Sequence, residues 1–138
     1  MTAALLAVYV IALAVIALSP VSPIRGLDLS QELDAAGLGW VTYTQLESAA
    51  NVALFVPLGL LIALLIRTKW WWAVVVGLAL LAGGIELGQA LFLPGRVPTL
   101  DDVLANTTGG VIGVALAALI RGAARLVSRA SRRSRGAE

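Results

Sequence analysis

Three stretches of this chain, roughly residues 46–66, 70–93 and 102–120, approach the 20 or so mostly apolar residues that a helix needs to cross a bilayer. No water reaches backbone amides inside hydrocarbon, so a spanning segment must satisfy them internally, and a helix does so. A fourth run, AALLAVYVIALAVIAL from Ala3 to Leu18, is shorter. Its end, Ala17-Leu18-Ser19, resembles a signal-peptide cleavage site, but the start MTAALL lacks the basic region that precedes one. A retained first helix is therefore expected. The reading is an all-α integral membrane four-helix bundle. Its helices lie at about 3–19, 46–66, 70–93 and 102–120, in one domain over residues 1–120.

Composition agrees. Hydrophobic residues make up 59% of the 138 and charged residues only 13%, where a soluble domain carries about one quarter charged. There is no cysteine and no histidine, which removes disulfides, thiol nucleophiles, imidazole bases and ordinary zinc sites. Only a hard-cation site of carboxylates and amides stays open, and neither metal nor cofactor is expected.

The charges are segregated. Arg67 and Lys69 lie between the second and third runs, and Arg121, Arg125, Arg129, Arg132, Arg133 and Arg135 follow the fourth. Of the 10 basic residues, only Arg25 and Arg96 remain for the other side. The excess of lysine and arginine marks the cytoplasmic side, so both termini are expected there, in a multi-pass protein of the bacterial plasma membrane. Trp70, Trp71 and Trp72 would sit at the inner interface, and Trp40 and Tyr43 near the outer one. Residues 121–138 read as a flexible basic cytoplasmic tail that anchors to anionic lipid. RNA binding is the weaker alternative, and no nucleic-acid partner is expected.

In the long loop after the first helix, Pro20 and Pro23 stop that helix. Ser30 is placed to cap a short helix through Ala36, ended by Gly37. Leu29, Leu33 and Ala36 would give this helix an apolar stripe for the outer membrane surface.

The polar residues inside the apolar runs carry the most information. At about 1.5 Å of rise per residue, Asn51, Glu86 and Asn106 each fall roughly 6–10 Å below the outer boundary, on three different helices. Glu86 and Gln89 share a helix face, as do Asp102 and Asn106. Ionisable groups at membrane depth are costly and face the bundle interior or a wet cavity. The candidate ligand-binding set is therefore Asn51, Glu86, Gln89, Arg96, Asp101, Asp102 and Asn106, under a lid formed by the 94–101 loop. Gly84-x3-Gly88 and Gly109-x3-Gly113 offer small-residue faces for close helix packing or for an oligomer. Pro57 predicts a kink in the second helix.

Each feature also has a plainer reading. Thr99-x-x-Asp102 forms a capping box for the fourth helix. Asn51 and Asn106 cross-link helices through hydrogen bonds. Glu86 and Arg96 form one internal ion pair, and Glu47 is merely interfacial. Those readings do not explain why acids, an arginine and three amides gather at one level.

The segments NVALFVPLGLLIALL, IELGQ and R-x5-DDVLANTTGGVIG closely resemble the VanZ-like membrane proteins of bacteria. The family pattern falls on Asn51, Phe55, Pro57 and Gly59, then on Glu86 and Gln89. It continues through Arg96, Asp102, Asn106, Gly109 and Gly113. Thr99 stands where the pattern has its first acid, with Asp101 nearby. The resemblance implies a small multi-pass protein of the bacterial cell envelope. Its namesake group is associated with resistance to the glycopeptide antibiotic teicoplanin.

The expected function is recognition of a polar headgroup at an outward-facing pocket. The partner is a membrane lipid, a lipid-linked cell-wall precursor or a lipoglycopeptide. A membrane-embedded enzyme for an envelope lipid phosphate is the alternative, with Glu86 as acid–base group and Asp101 and Asp102 holding a divalent cation. It ranks lower because no nucleophile constellation is present. Two further readings are a transporter, for which four short helices are few, and a structural assembly partner of other envelope proteins.

Overall fold

The computed structural model describes residues 2–19, 29–94 and 99–135. Five helices account for nearly all of them: α1 (Thr2–Ala17), α2 (Ser30–Ala35), α3 (Tyr43–Leu65), α4 (Trp71–Phe92) and α5 (Leu100–Arg135). No strand occurs among the described residues. Arg25, Arg96 and the centre of the 94–101 loop lie outside them, as do Pro20 and Pro23.

Three helical segments, Tyr43–Leu65, Thr68–Phe92 and Leu100–Arg129, are long and apolar enough to cross a membrane. α1 is apolar but has 16 residues. That is about 24 Å of helix, against roughly 30 Å of hydrocarbon. On α4, Leu80, Leu87, Leu91 and Phe92 are 61–76% exposed. A contiguous apolar surface of that extent is an interface with something other than water.

Local chemistry sets the helix ends. Thr42 opens α3 with a capping box. Its hydroxyl accepts from the Gln45 amide at 3.3 Å, and the Gln45 side chain accepts from the Thr42 amide at 2.8 Å. α3 therefore starts three residues before the expected Leu46 and passes through Pro57 without ending. α5 is opened by Thr99, as expected: the Asp102 amide donates to the Thr99 hydroxyl at 3.1 Å, and that hydroxyl donates back to Asp102 Oδ2 at 2.8 Å. α5 continues beyond Ile120 to Arg135, because RGAARLVSRASRRSR contains good helix formers and no proline. Ser30 is the first residue of α2 and not its cap. Leu29 takes the cap position, with no side-chain hydrogen bond. Gly37 ends α2 at φ 73°. The Leu38 amide reaches the Leu33 carbonyl at 2.7 Å and the Gly37 amide reaches Asp34 at 3.0 Å, which together satisfy the last carbonyls.

The core forms where α3 and α4 pack on α5, with Phe55, Leu58, Leu78, Ala82 and Ala117 nearly inaccessible. Between α3 and α5 the backbones themselves touch. A Cβ on Gly109 would lie 2.1 Å from the Val52 carbonyl oxygen, one on Gly113 2.2 Å from that of Val56, and one on Gly59 2.3 Å from that of Gly110. Only glycine fits there. Gly84 and Gly88 have nothing within 4 Å of the same position. Thus Gly109 and Gly113 are taken up inside the chain, and only the α4 pair is open to a second copy.

At the far end of α3, the Arg121 guanidinium of α5 donates to the Leu64 carbonyl at 2.9 Å, to the Ile66 carbonyl at 2.7 Å and to the Thr68 hydroxyl at 3.2 Å. These carbonyls belong to the frayed end of a helix and need a donor. Arg121 thereby fixes the tight α3–α4 corner against α5, a role hidden when the residue is counted only as the first charge of a tail.

Candidate functional site

Opposite the Arg121 corner, α1, α3 and α4 enclose an open-sided cavity of about 360 Å³, with Asn106 of α5 at its margin. α3 contributes Glu47, Asn51 and Phe55, α4 contributes Ile85, Glu86 and Gln89, and α1 contributes Leu13, Ile16 and Ala17. Most of the wall is apolar, and the polar groups are few and convergent, as small-molecule sites generally are.

Four of the seven candidate residues meet here: Asn51, Glu86, Gln89 and Asn106. Glu86, Gln89 and Asn106 are the buried polar side chains of the described residues, at 5–7% exposure. Spacing explains the geometry. Glu86 and Gln89, three apart on α4, turn the same face inward, with apolar Ile85 beside them.

Asp102 stands just outside the cavity and acts through another residue. Its Oδ1 accepts from Asn51 Nδ2 at 2.7 Å, while Oδ2 accepts from the Thr99 hydroxyl. One carboxylate thus completes the α5 cap and ties α5 to α3. Asp101, one residue earlier, is exposed and does not line the cavity. Arg96 lies outside the described residues. Glu47, expected to be merely interfacial, lines the cavity. Its position one turn before Asn51 was the available signal, because i and i+4 share a helix face.

Two hydrogen bonds seat α1. The Tyr9 hydroxyl donates to the Leu54 carbonyl at 2.5 Å, next to the Ala53 carbonyl that Pro57 leaves without its usual amide donor. Gln89 Nε2 donates to the Ala17 carbonyl at 2.8 Å, at the last turn of α1. One amide of the cavity is therefore also the clasp that holds α1.

Asn106 differs from these. It is 5% exposed and lines the cavity, and it has no hydrogen-bond partner among the described residues. Its amide borders the open-sided cavity and is available there to a polar occupant, water or ligand. The set as a whole offers carboxylate acceptors and amides that both donate and accept. Such groups suit hydroxyls, amides and amines. Among the described residues no group of three or more acidic side chains is placed to hold a metal ion.

Together these features define a helical membrane protein with a largely apolar, open-sided cavity, carrying a few convergent polar groups, at one end of its bundle. The chain belongs to the VanZ/LLP1 family, whose model matches residues 5–121. No curated protein and no solved structure matches it.

Proposed function

We propose that the chain is a multi-pass protein of the bacterial plasma membrane, with both termini in the cytoplasm and α1 as a fourth membrane helix. Its cavity takes the polar headgroup of an envelope amphiphile from the outer leaflet. The observation that carries this reading is Asn106, a buried amide without a described partner facing a cavity that Asn51, Glu86 and Gln89 also line. The apolar wall of Leu13, Ile16 and Ile85 suits the first methylenes of a lipid chain. The amides and Glu86 suit sugar or peptide groups, and Arg96 is assigned to a phosphate or carboxylate of the same ligand. The family setting makes a lipid-linked cell-wall precursor, or a lipoglycopeptide of the teicoplanin type, the preferred occupant. The basic residues near the Arg121 corner support the assignment of that end to the cytoplasm.

Native mass spectrometry of the purified protein tests the reading. Wild type is expected to carry a discrete lipid adduct that Arg96→Ala and Glu86→Gln each lose while retaining the fold. An adduct of equal occupancy in all three proteins would reduce the polar layer to helix cross-linking.

A further inference from the structure

The end of the molecule opposite the cavity has its own chemistry. Arg67, Lys69, Arg121, Arg125 and Arg129 lie there, while the described acids, Glu32, Asp34, Glu47, Glu86, Asp101 and Asp102, all belong to α2 or to the cavity ends of α3, α4 and α5. No described carboxylate is available to neutralise the five cations. The Arg121 guanidinium is held by two backbone carbonyls and a hydroxyl, so its position is fixed, and no described carboxylate compensates its charge. Beside it a shallow cleft runs between α3, α4 and α5. Arg67, Thr68, Trp71 and Arg121 form its polar rim, and Ala63 and Val74 belong to its apolar lining. Trp70, Trp71 and Trp72 are all about half exposed around this corner, and Lys69 Nζ lies 5.5 Å from the Trp70 ring centre. Exposed tryptophans interleaved with cations occur where a protein surface meets lipid headgroups.

α5 extends this surface. At about 100° per residue, Arg121, Arg125 and Arg129 fall along one side of the helix, with Ala123 and Val127 on the other. The 36 residues of α5 amount to about 54 Å, well over the hydrocarbon thickness. The arginine-bearing turns therefore reach the headgroup layer and go beyond it.

We propose that the α3–α4 corner and the adjoining turn of α5 form a binding site for an anionic phospholipid of the leaflet on that side. Its phosphodiester lies between Arg67 and the Arg121–Arg125 turn, and its first methylenes rest on the apolar floor of the cleft. The site is separate from the cavity, which lies at the other end of the same helices, so neither depends on the other. Charge complementarity selects an anionic lipid, and the apolar floor and tryptophan rim select a lipid over a soluble anion.

Three of the four tryptophans are at this corner, so intrinsic fluorescence reports on it. The full-length protein is reconstituted in bilayers of brominated phosphatidylglycerol mixed with phosphatidylcholine, and in the converse mixture. The expected result is preferential quenching by the anionic lipid, with a relative binding constant clearly above one. Each corner charge removed should lower that constant by about fivefold. Arg67→Gln combined with Arg125→Gln spares Arg121 and so spares the corner, and should bring the constant close to one. Equal quenching by both lipids in wild type, or a preference that survives in the double variant, overturns the proposal. Loss of the preference with inorganic phosphate, but not with chloride at equal ionic strength, also overturns it by assigning the site to a free anion.

Discussion

The contact between α3 and α5 is tight enough for one methyl group to measure it. In Gly109→Ala the new Cβ would sit 2.1 Å from the Val52 carbonyl oxygen and 3.0 Å from Phe55 Cβ. Ordinary contact begins near 3.4 Å, so α3 must retreat by about 1.3 Å at this level. The obstructing atom is backbone, so no rotamer change relieves the clash. The cost falls at the upper end of overpacking, about 3 kcal/mol. Alanine returns about 1 kcal/mol of helix propensity, leaving a net loss of about 2 kcal/mol. The displacement also strains the neighbouring Asn51–Asp102 bond, now 2.7 Å. Gly84→Ala is the matched control. It adds the same methyl where nothing lies within 4 Å, and should be neutral or stabilising by up to about 1 kcal/mol. Unfolding in mixed micelles of dodecylmaltoside and increasing dodecyl sulfate, followed by tryptophan emission, compares them directly. The transition of Gly109→Ala should move to clearly lower dodecyl sulfate and that of Gly84→Ala should not. A Gly109→Ala protein as stable as wild type, or equal losses in both variants, would refute the backbone contact.

The same assay resolves the Asn51–Asp102 link. Asn51→Leu, Asp102→Ala and the double variant should give a coupling of about 1 kcal/mol, within the range of polar links between membrane helices. Independent effects would show that the two side chains do not pair in the membrane. Sidedness can be read from cysteines, because the chain has none of its own. Ser128→Cys should react with an impermeant maleimide only in permeabilised cells, and the exposed Ala36→Cys in intact cells. The reverse pattern would invert the whole assignment.

Much of the fold could be read from the sequence because membrane helices are set by length and polarity, which a sequence displays directly. The Thr99–Asp102 cap was legible for the same reason: it is local and residue-specific. The Thr42-x-x-Gln45 box is equally local, but it lies ahead of the apolar run from Leu46, whose polarity alone places the helix start three residues too late. Other features were beyond one sequence. Gly84-x3-Gly88 and Gly109-x3-Gly113 are the same motif, yet only the second touches a partner helix, and that choice is made by the packing of the whole bundle. Arg121 is indistinguishable in composition from the arginines after it. It differs in facing three acceptors more than 50 residues earlier in the chain. In the candidate site, the gathering of Asn51, Glu86, Gln89 and Asn106 followed from equal depth along three spans. Depth alone did not reveal that Asp102 is engaged by Asn51 and Thr99, or that Asp101 faces away.

Gln89 has a divided allegiance. A guest that takes the N–H now given to the Ala17 carbonyl would release that carbonyl and so couple the chamber to the end of the first helix. One that uses the second N–H or Oε1 would leave the clasp closed. For the first kind of guest, reciprocity requires that whatever pulls on that first helix, whether bilayer thickness or a neighbouring protein, also changes how firmly the guest is held. The smallest helix of apolar length in the molecule is thus positioned to act as its tuning peg.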